Sequence, residues 1–184
     1  MDPQPTADAG LNALGDLGQP ARPLNPIAAA IGILKLDTEV MVRVSRDPMA
    51  LVYGAIAFAM TTVISIVLGG VLSGAAPPQV LMIAIAPIVG LIASAATTGI
   101  VHVLAKVMFG ATGTYVGLLR VLWLGSIVSL LAVIPIAGAI VSSIWSLLIT
   151  MVTFQEVDEI ERLQALGLSI AVGLGFYALL RLLA

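Results

Sequence analysis

MALVYGAIAFAMTTVISIVLGGVLSGAAPPQVLMIAIAPIVGLIASAATTGIVHVLA, residues 49–105, contains no Asp, Glu, Lys or Arg. The same is true from Val121 to Gln155 and from Leu163 to Leu180, with Lys106, Arg120 and a short acidic cluster as the interruptions. A soluble domain needs charged surface, so these gaps make lipid the solvent for most of the chain. Composition agrees: of 184 residues, 60% are hydrophobic and 10% charged, against about 25% charged in soluble proteins. Mean hydropathy is +1.13.

The gaps divide into spans of about 20 apolar residues, the length that crosses a bilayer core. The first is expected over about 49–73, opened by Asp47 as N-cap with Pro48 at the first helical position. Pro77-Pro78 breaks the chain, and a second span follows over about 78–108, with a kink expected at Pro87. The block from Val121 to Gln155 is too long for one span. It divides near Pro135 into a tight hairpin, 115–134 and 136–155. A last span covers about 163–183. The expectation is an all-α, polytopic five-helix bundle, one membrane domain over 48–184.

Residues 1–25 are rich in Pro, Gly, Ala and Asp and read as a disordered tail. They lack the basic and apolar regions of a signal peptide, so the first internal apolar segment is expected to direct insertion. Residues 26–47 read as an amphipathic helix. Lys35, Glu39, Arg43 and Arg46 share one stripe, with Ile27, Ile31, Leu34, Met41 and Val42 opposite and Asp37 interrupting the apolar arc. The spacing permits Lys35–Glu39 and Glu39–Arg43 pairs. Such a helix lies on the membrane surface or against the bundle, or is a helical run-in with a solvated face.

With the N-terminus in the cytoplasm, Arg22, Lys35, Arg43, Arg46, Lys106, Arg120 and Arg162 fall inside and only Arg181 outside. The positive-inside rule therefore expects N-in, C-out.

Small residues recur every four positions: Ala86, Gly90, Ser94 and Thr98; Gly138, Ser142, Ser146 and Thr150; Gly167, Ala171 and Gly175. In lipid, helices associate through close backbone approach at such residues, which makes these stripes the candidate packing faces, within the chain or between chains.

Chemistry-bearing residues are few. His102 is the only histidine, with Lys106 one turn on. The pair is a candidate interfacial site for a proton or a headgroup phosphate. The plainer reading, an interfacial His with a snorkelling Lys, is preferred. Glu156, Asp158, Glu159 and Glu161 do not have EF-hand spacing and read as a solvated loop. There is no cysteine, no metal-ligand set, no cofactor motif and no catalytic fingerprint. Without a basic run, a nucleic-acid partner is not expected.

Three segments in order carry a resemblance: NPIAAAIGILKLDTEVMVRVSRDP (25–48), HVLAKVMFGATGTYVGLLRVLWLG (102–125) and PIAGAIVSSIWSLLITMVTFQEVDEIERLQALGLSIAVGL (135–174). Together they resemble the bacterial branch of the Yip domain family, including Pro135, Gly138 and the post-acidic Ala165. The resemblance implies a five-span bundle with a cytoplasmic N-terminus in the bacterial inner membrane, and supplies no settled activity. Eukaryotic members are associated with Rab-type GTPases. The chain lacks their Asp-Leu-Tyr-Gly-Pro-like motif, so no GTPase partner is carried over. The expected function is a non-enzymatic membrane-organising, scaffold or accessory role, with the lipid bilayer and a membrane protein or a second copy as partners. The alternative is a small transporter or channel subunit using Ser94, Thr97, Thr98, Ser142, Ser143 and Ser146. A membrane enzyme would require His102, Lys106 and the acidic loop to converge.

Overall fold

The computed structural model describes residues 24–74, 79–134 and 137–183, with side chains through 174 except at 73. Residues 1–23 of the tail expected over 1–25, Pro77-Pro78, Pro135, Ile136 and the surroundings of Gly175 and Arg181 lie outside the described residues. Those described form helices and no strand: α1 Pro26–Leu34, α2 Thr38–Arg46, α3 Ala50–Ser73, α4 Val80–Phe109, α5 Tyr115–Gly125 continued by a 3₁₀ stretch Ser126–Val133, α6 Ala137–Val157 and α7 Arg162–Leu183.

Four runs are long and apolar enough to cross a membrane: Ala50–Leu72, Val80–Phe109, Tyr115–Val133 and Ala137–Val157. Within α7, 22 residues long, Arg162–Leu174 is a shorter apolar helix outside this set. Outward faces carry Ile56, Met60, Ile92, Ile100, Ile140 and Ile144 in exposed positions, an apolar surface that water would not tolerate over this area.

The third run departs from a plain helix. α5 stops at Gly125, and the chain continues with 3₁₀ geometry, while the Ser126 and Ser129 hydroxyls donate to carbonyls three residues back, Trp123 O at 2.6 Å and Ser126 O at 2.7 Å. Because a 3₁₀ helix rises about 2.0 Å per residue against 1.5 Å for an α-helix, the run reaches about 33 Å. α4, at 30 residues, is about 45 Å long. It crosses a ~30 Å core only if tilted or projecting beyond it. It passes through buried Pro87 as one continuous helix.

Asp47 is extended, and its Oδ1 accepts from the Met49 amide at 2.8 Å. The helix itself begins at Ala50 with Met49 as its N-cap, two residues later than the expected Asp47 cap with Pro48 at the first helical position.

Residues 26–47 do not form one helix. The chain reverses at Leu36, whose φ is +58°. Asp37 N–H donates to Gly32 O at 3.0 Å and Leu36 N–H to Ile33 O at 2.9 Å, the paired bonds that close a helix through a left-handed residue. Asn25 caps α1 by accepting from Ile27 and Ala28 amides. Asp37, the residue that interrupts the apolar arc, caps α2 by accepting from Val40 N–H at 3.2 Å. The reversal removes the helical spacing between Lys35 and Glu39. Neither they nor Glu39 and Arg43 form an ion pair; among the described residues that contact is confined to His102–Asp158.

The α1–α2 hairpin packs against the bundle. Ala29, Ala30, Ile33, Met41 and Val44 join Val121, Leu124, Val128 and Ile149 in one core. A second core joins α4, α5, α6 and α7 through Val101, Ala105, Leu118, Phe154, Ala165 and Leu168. Lys106, Arg120 and the loops 110–114 and 158–161 gather at one end of the bundle, here called the polar end.

The hairpin closes tightly. A Cβ on Gly32 would stand 2.7 Å from Val40 Cγ1, so Gly32→Val is expected to destabilise the protein by about 1–3 kcal/mol. Gly69, with nothing within 4 Å of its added Cβ, is the control. Thermal unfolding in detergent should show a lowered Tm for Gly32→Val and little change for Gly69→Ala.

Candidate functional site

The most unusual chemistry of the described residues is at the polar end. His102 lies on the inward side of α4 and Asp158 immediately follows α6. Nδ1 and Oδ1 are 3.6 Å apart, with side-chain exposures of 8% and 0%. That distance is electrostatic contact rather than a hydrogen bond. His102 Nδ1 and both Asp158 carboxylate oxygens have no hydrogen-bond partner. Tyr115 lies beside the imidazole, ring centroids 6.3 Å apart, and anchors its own hydroxyl by donating to Ala95 O at 2.9 Å.

The loops around the pair hold each other. Thr112 N–H donates to Asp158 O at 3.1 Å, and Thr112 Oγ1 donates to Glu159 Oε2 at 2.8 Å. Glu159 adopts φ +56°, turning the chain so that Asp158 points inward while Glu159 remains exposed. Gly113 passes so close that an added Cβ would collide with Asp158 Oδ1 and Val157 O.

Burial raises the Asp158 pKa above the ordinary aspartate range; His102, and more weakly Lys106, oppose the rise. A carboxylate taken out of water favours its neutral form, and a nearby positive charge favours the anion.

His102 is buried within the protein and Lys106, one turn away, is exposed, and the expectation of one solvated acidic loop is revised. The acidic cluster is split: Glu156, Glu159 and Glu161 are exposed, whereas Asp158 is buried. His102 and one residue of the acidic loop therefore do converge. Among the described residues, no group of three or more His, Cys, Asp or Glu is gathered for a metal ion.

The small-residue stripes separate in the same way. Gly90 faces the Phe58 ring, 3.0 Å from its added Cβ, and Ser94 Oγ accepts from Trp123 Nε1 at 3.0 Å; Ala86 is half-buried and Thr98 buried on the same side. Gly138 is pressed against Leu131 O, and Ser142 Oγ donates to Val128 O at 3.2 Å. The first stripe and the Gly138–Ser142 half of the second are used in packing within the chain, while Ser146 and Thr150 line a cavity. The third faces out: Gly167 and Ala171 are exposed, and a Cβ on Gly167 would meet nothing within 4 Å.

A cavity of about 330 Å³ lies between α3, the α5–3₁₀ junction and α6, lined by six hydroxyls, those of Thr61, Thr62, Ser126, Ser129, Ser146 and Thr150. Of the hydroxyls expected to line a pathway, Ser146 alone is here. Ser94 and Ser142 are engaged between helices, and exposed Ser143 donates to Ala139 O on its own helix. Helical spacing signalled Ser146 and Thr150. Ser126 and Ser129 follow from the 3₁₀ stretch, which apolar length does not reveal.

Gly113→Ala is expected to part the two loops and cost about 1–3 kcal/mol, seen as faster amide exchange at 110–114 and 158–161. For Asp158, the raised folded-state pKa means that the native chain holds this proton to higher pH than the unfolded chain. Its stabilising contribution is complete below the ordinary aspartate range and is lost as pH rises through the raised value. Asp158→Asn should flatten the fall in Tm that wild type shows on raising pH above the ordinary aspartate range; an unchanged profile would refute the assignment.

Compared with protein-family models, curated proteins and solved structures, the chain matches none.

Proposed function

We propose that this chain is a non-enzymatic integral membrane protein that organises or assists another membrane component through α7. The observation that carries this reading is the outward Gly167–Ala171 face. The first stripe and the Gly138–Ser142 half of the second pack within the chain, and the third is left uncovered at Gly167 and Ala171, where a Cβ added to Gly167 would meet nothing within 4 Å, the close-approach surface that helices use in lipid. The reading includes five spans: at 22 residues, α7 is about 33 Å long, enough to cross. It also places the N-terminus in the cytoplasm of a bacterial cell and the C-terminus across the inner membrane, supported by seven basic residues against one. A Yip-type identity rests on the order of the three resembling segments.

Single cysteines at Gly167 or Ala171 are expected to give crosslinked adducts in native membranes, whereas cysteine at lipid-facing Ile92 gives none. Gly167→Leu should reduce co-purification of the adduct partner at least threefold while leaving Tm unchanged. A strict monomer without adducts would reject the reading.

A second reading, a small transporter or channel subunit, is supported by the hydroxyl-lined cavity. Solute flux in proteoliposomes carrying the purified protein separates the two.

A further inference from the structure

We propose that the cavity between α3, the α5–3₁₀ junction and α6 is a binding site for a compact monovalent cation, an alkali ion or a small primary ammonium.

The inference follows from where the hydroxyl protons go. A serine or threonine hydroxyl has one proton and two lone pairs. Four of the six lining hydroxyls spend that proton on their own helix: Thr62 on Phe58 O at 2.9 Å, Ser126 on Trp123 O at 2.6 Å, Ser129 on Ser126 O at 2.7 Å and Thr150 on Ser146 O at 2.8 Å. These oxygens have only lone pairs left to offer.

On a wall that is otherwise largely apolar, these four acceptor-only oxygens select the occupant by sign. Anions are repelled, and no Lys or Arg lines the cavity to hold one. A divalent ion dehydrates at a cost that carboxylates normally offset, and no carboxylate lines it either. A monovalent cation needs less: neutral oxygens can replace its hydration shell, and an ammonium donates directly to lone pairs. At roughly 30 Å³ per water, the volume holds about ten waters, so the ion enters with part of its shell. The site does not depend on the α7 face and would stand or fall separately from the proposed role in partnership.

The test uses the full chain in zwitterionic nanodiscs at constant ionic strength, replacing choline chloride with sodium, potassium, ammonium or methylammonium chloride. A saturable rise in Tm is expected for at least one small cation, about 5 °C at hundredfold excess over Kd. Response to sodium or potassium indicates coordination of the metal ion; response to the ammonium ions alone indicates a donor site. Either sustains the proposal. An equal response to choline, or none to any of the four cations, overturns it. Thr62→Val with Thr150→Val should abolish the response while Ser143→Ala, outside the cavity, retains it. Should the double variant fail to fold, Ser126→Ala and Ser129→Ala are read singly by calorimetric titration. A Kd weakened about tenfold supports the site, and an unchanged Kd in both refutes it.

Discussion

Two side-chain hydrogen bonds from the bundle hold the N-terminal hairpin in place. Trp145 Nε1 donates to Leu34 O at 2.8 Å, and Arg120 Nη1 donates to Ser45 O at 2.7 Å. Both acceptors lie in the last turn of a short helix, where carbonyls lack intrahelical donors. A buried carbonyl without a donor costs about 1–3 kcal/mol, and short helices have little intrinsic stability to offset it. By supplying donors from α5 and α6, the bundle converts residues that would otherwise rest at an interface into core. Ile33 then packs near Gly125 and Ile149, where a larger residue than glycine would crowd both.

The same requirement explains the middle of the bundle. At Gly125 the chain has no side chain to separate it from α1 and α6, and beyond it the Ser126 and Ser129 hydroxyls compete for backbone carbonyls. The resulting 3₁₀ stretch lengthens the third run and opens the cavity beside it. Packing against the hairpin and opening toward the cavity are thus two sides of one junction.

At the polar end, the 110–114 and 158–161 loops are stapled through Thr112 and Gly113, which encloses the His102–Asp158 pair. Burying a carboxylate is costly unless a partner is at hand, and the histidine supplies one from a different helix. The pair is therefore a property of the two loops meeting, and its geometry depends on their contact.

Four helices long and apolar enough to cross a membrane were legible in the sequence, because charge-free length is a one-dimensional quantity that lipid enforces directly. Two of the packing stripes were equally legible, since helical spacing determines which small residues share a face. Other features were not. Asp158 stands among three exposed acidic neighbours, and what buries it is a left-handed residue at 159 and a glycine 45 positions earlier, at 113. Leu36 carries no glycine signal for the turn it makes, so the 26–47 segment reads as one helix until Asn25 and Asp37 are seen capping two. The sequence alone determined the solvent of this chain, the helices that solvent requires and the faces they share. Tertiary structure alone decided which stripe is left outward, where the hydroxyls enclose space and which charge is buried, because each depends on atoms brought together from distant positions in the chain.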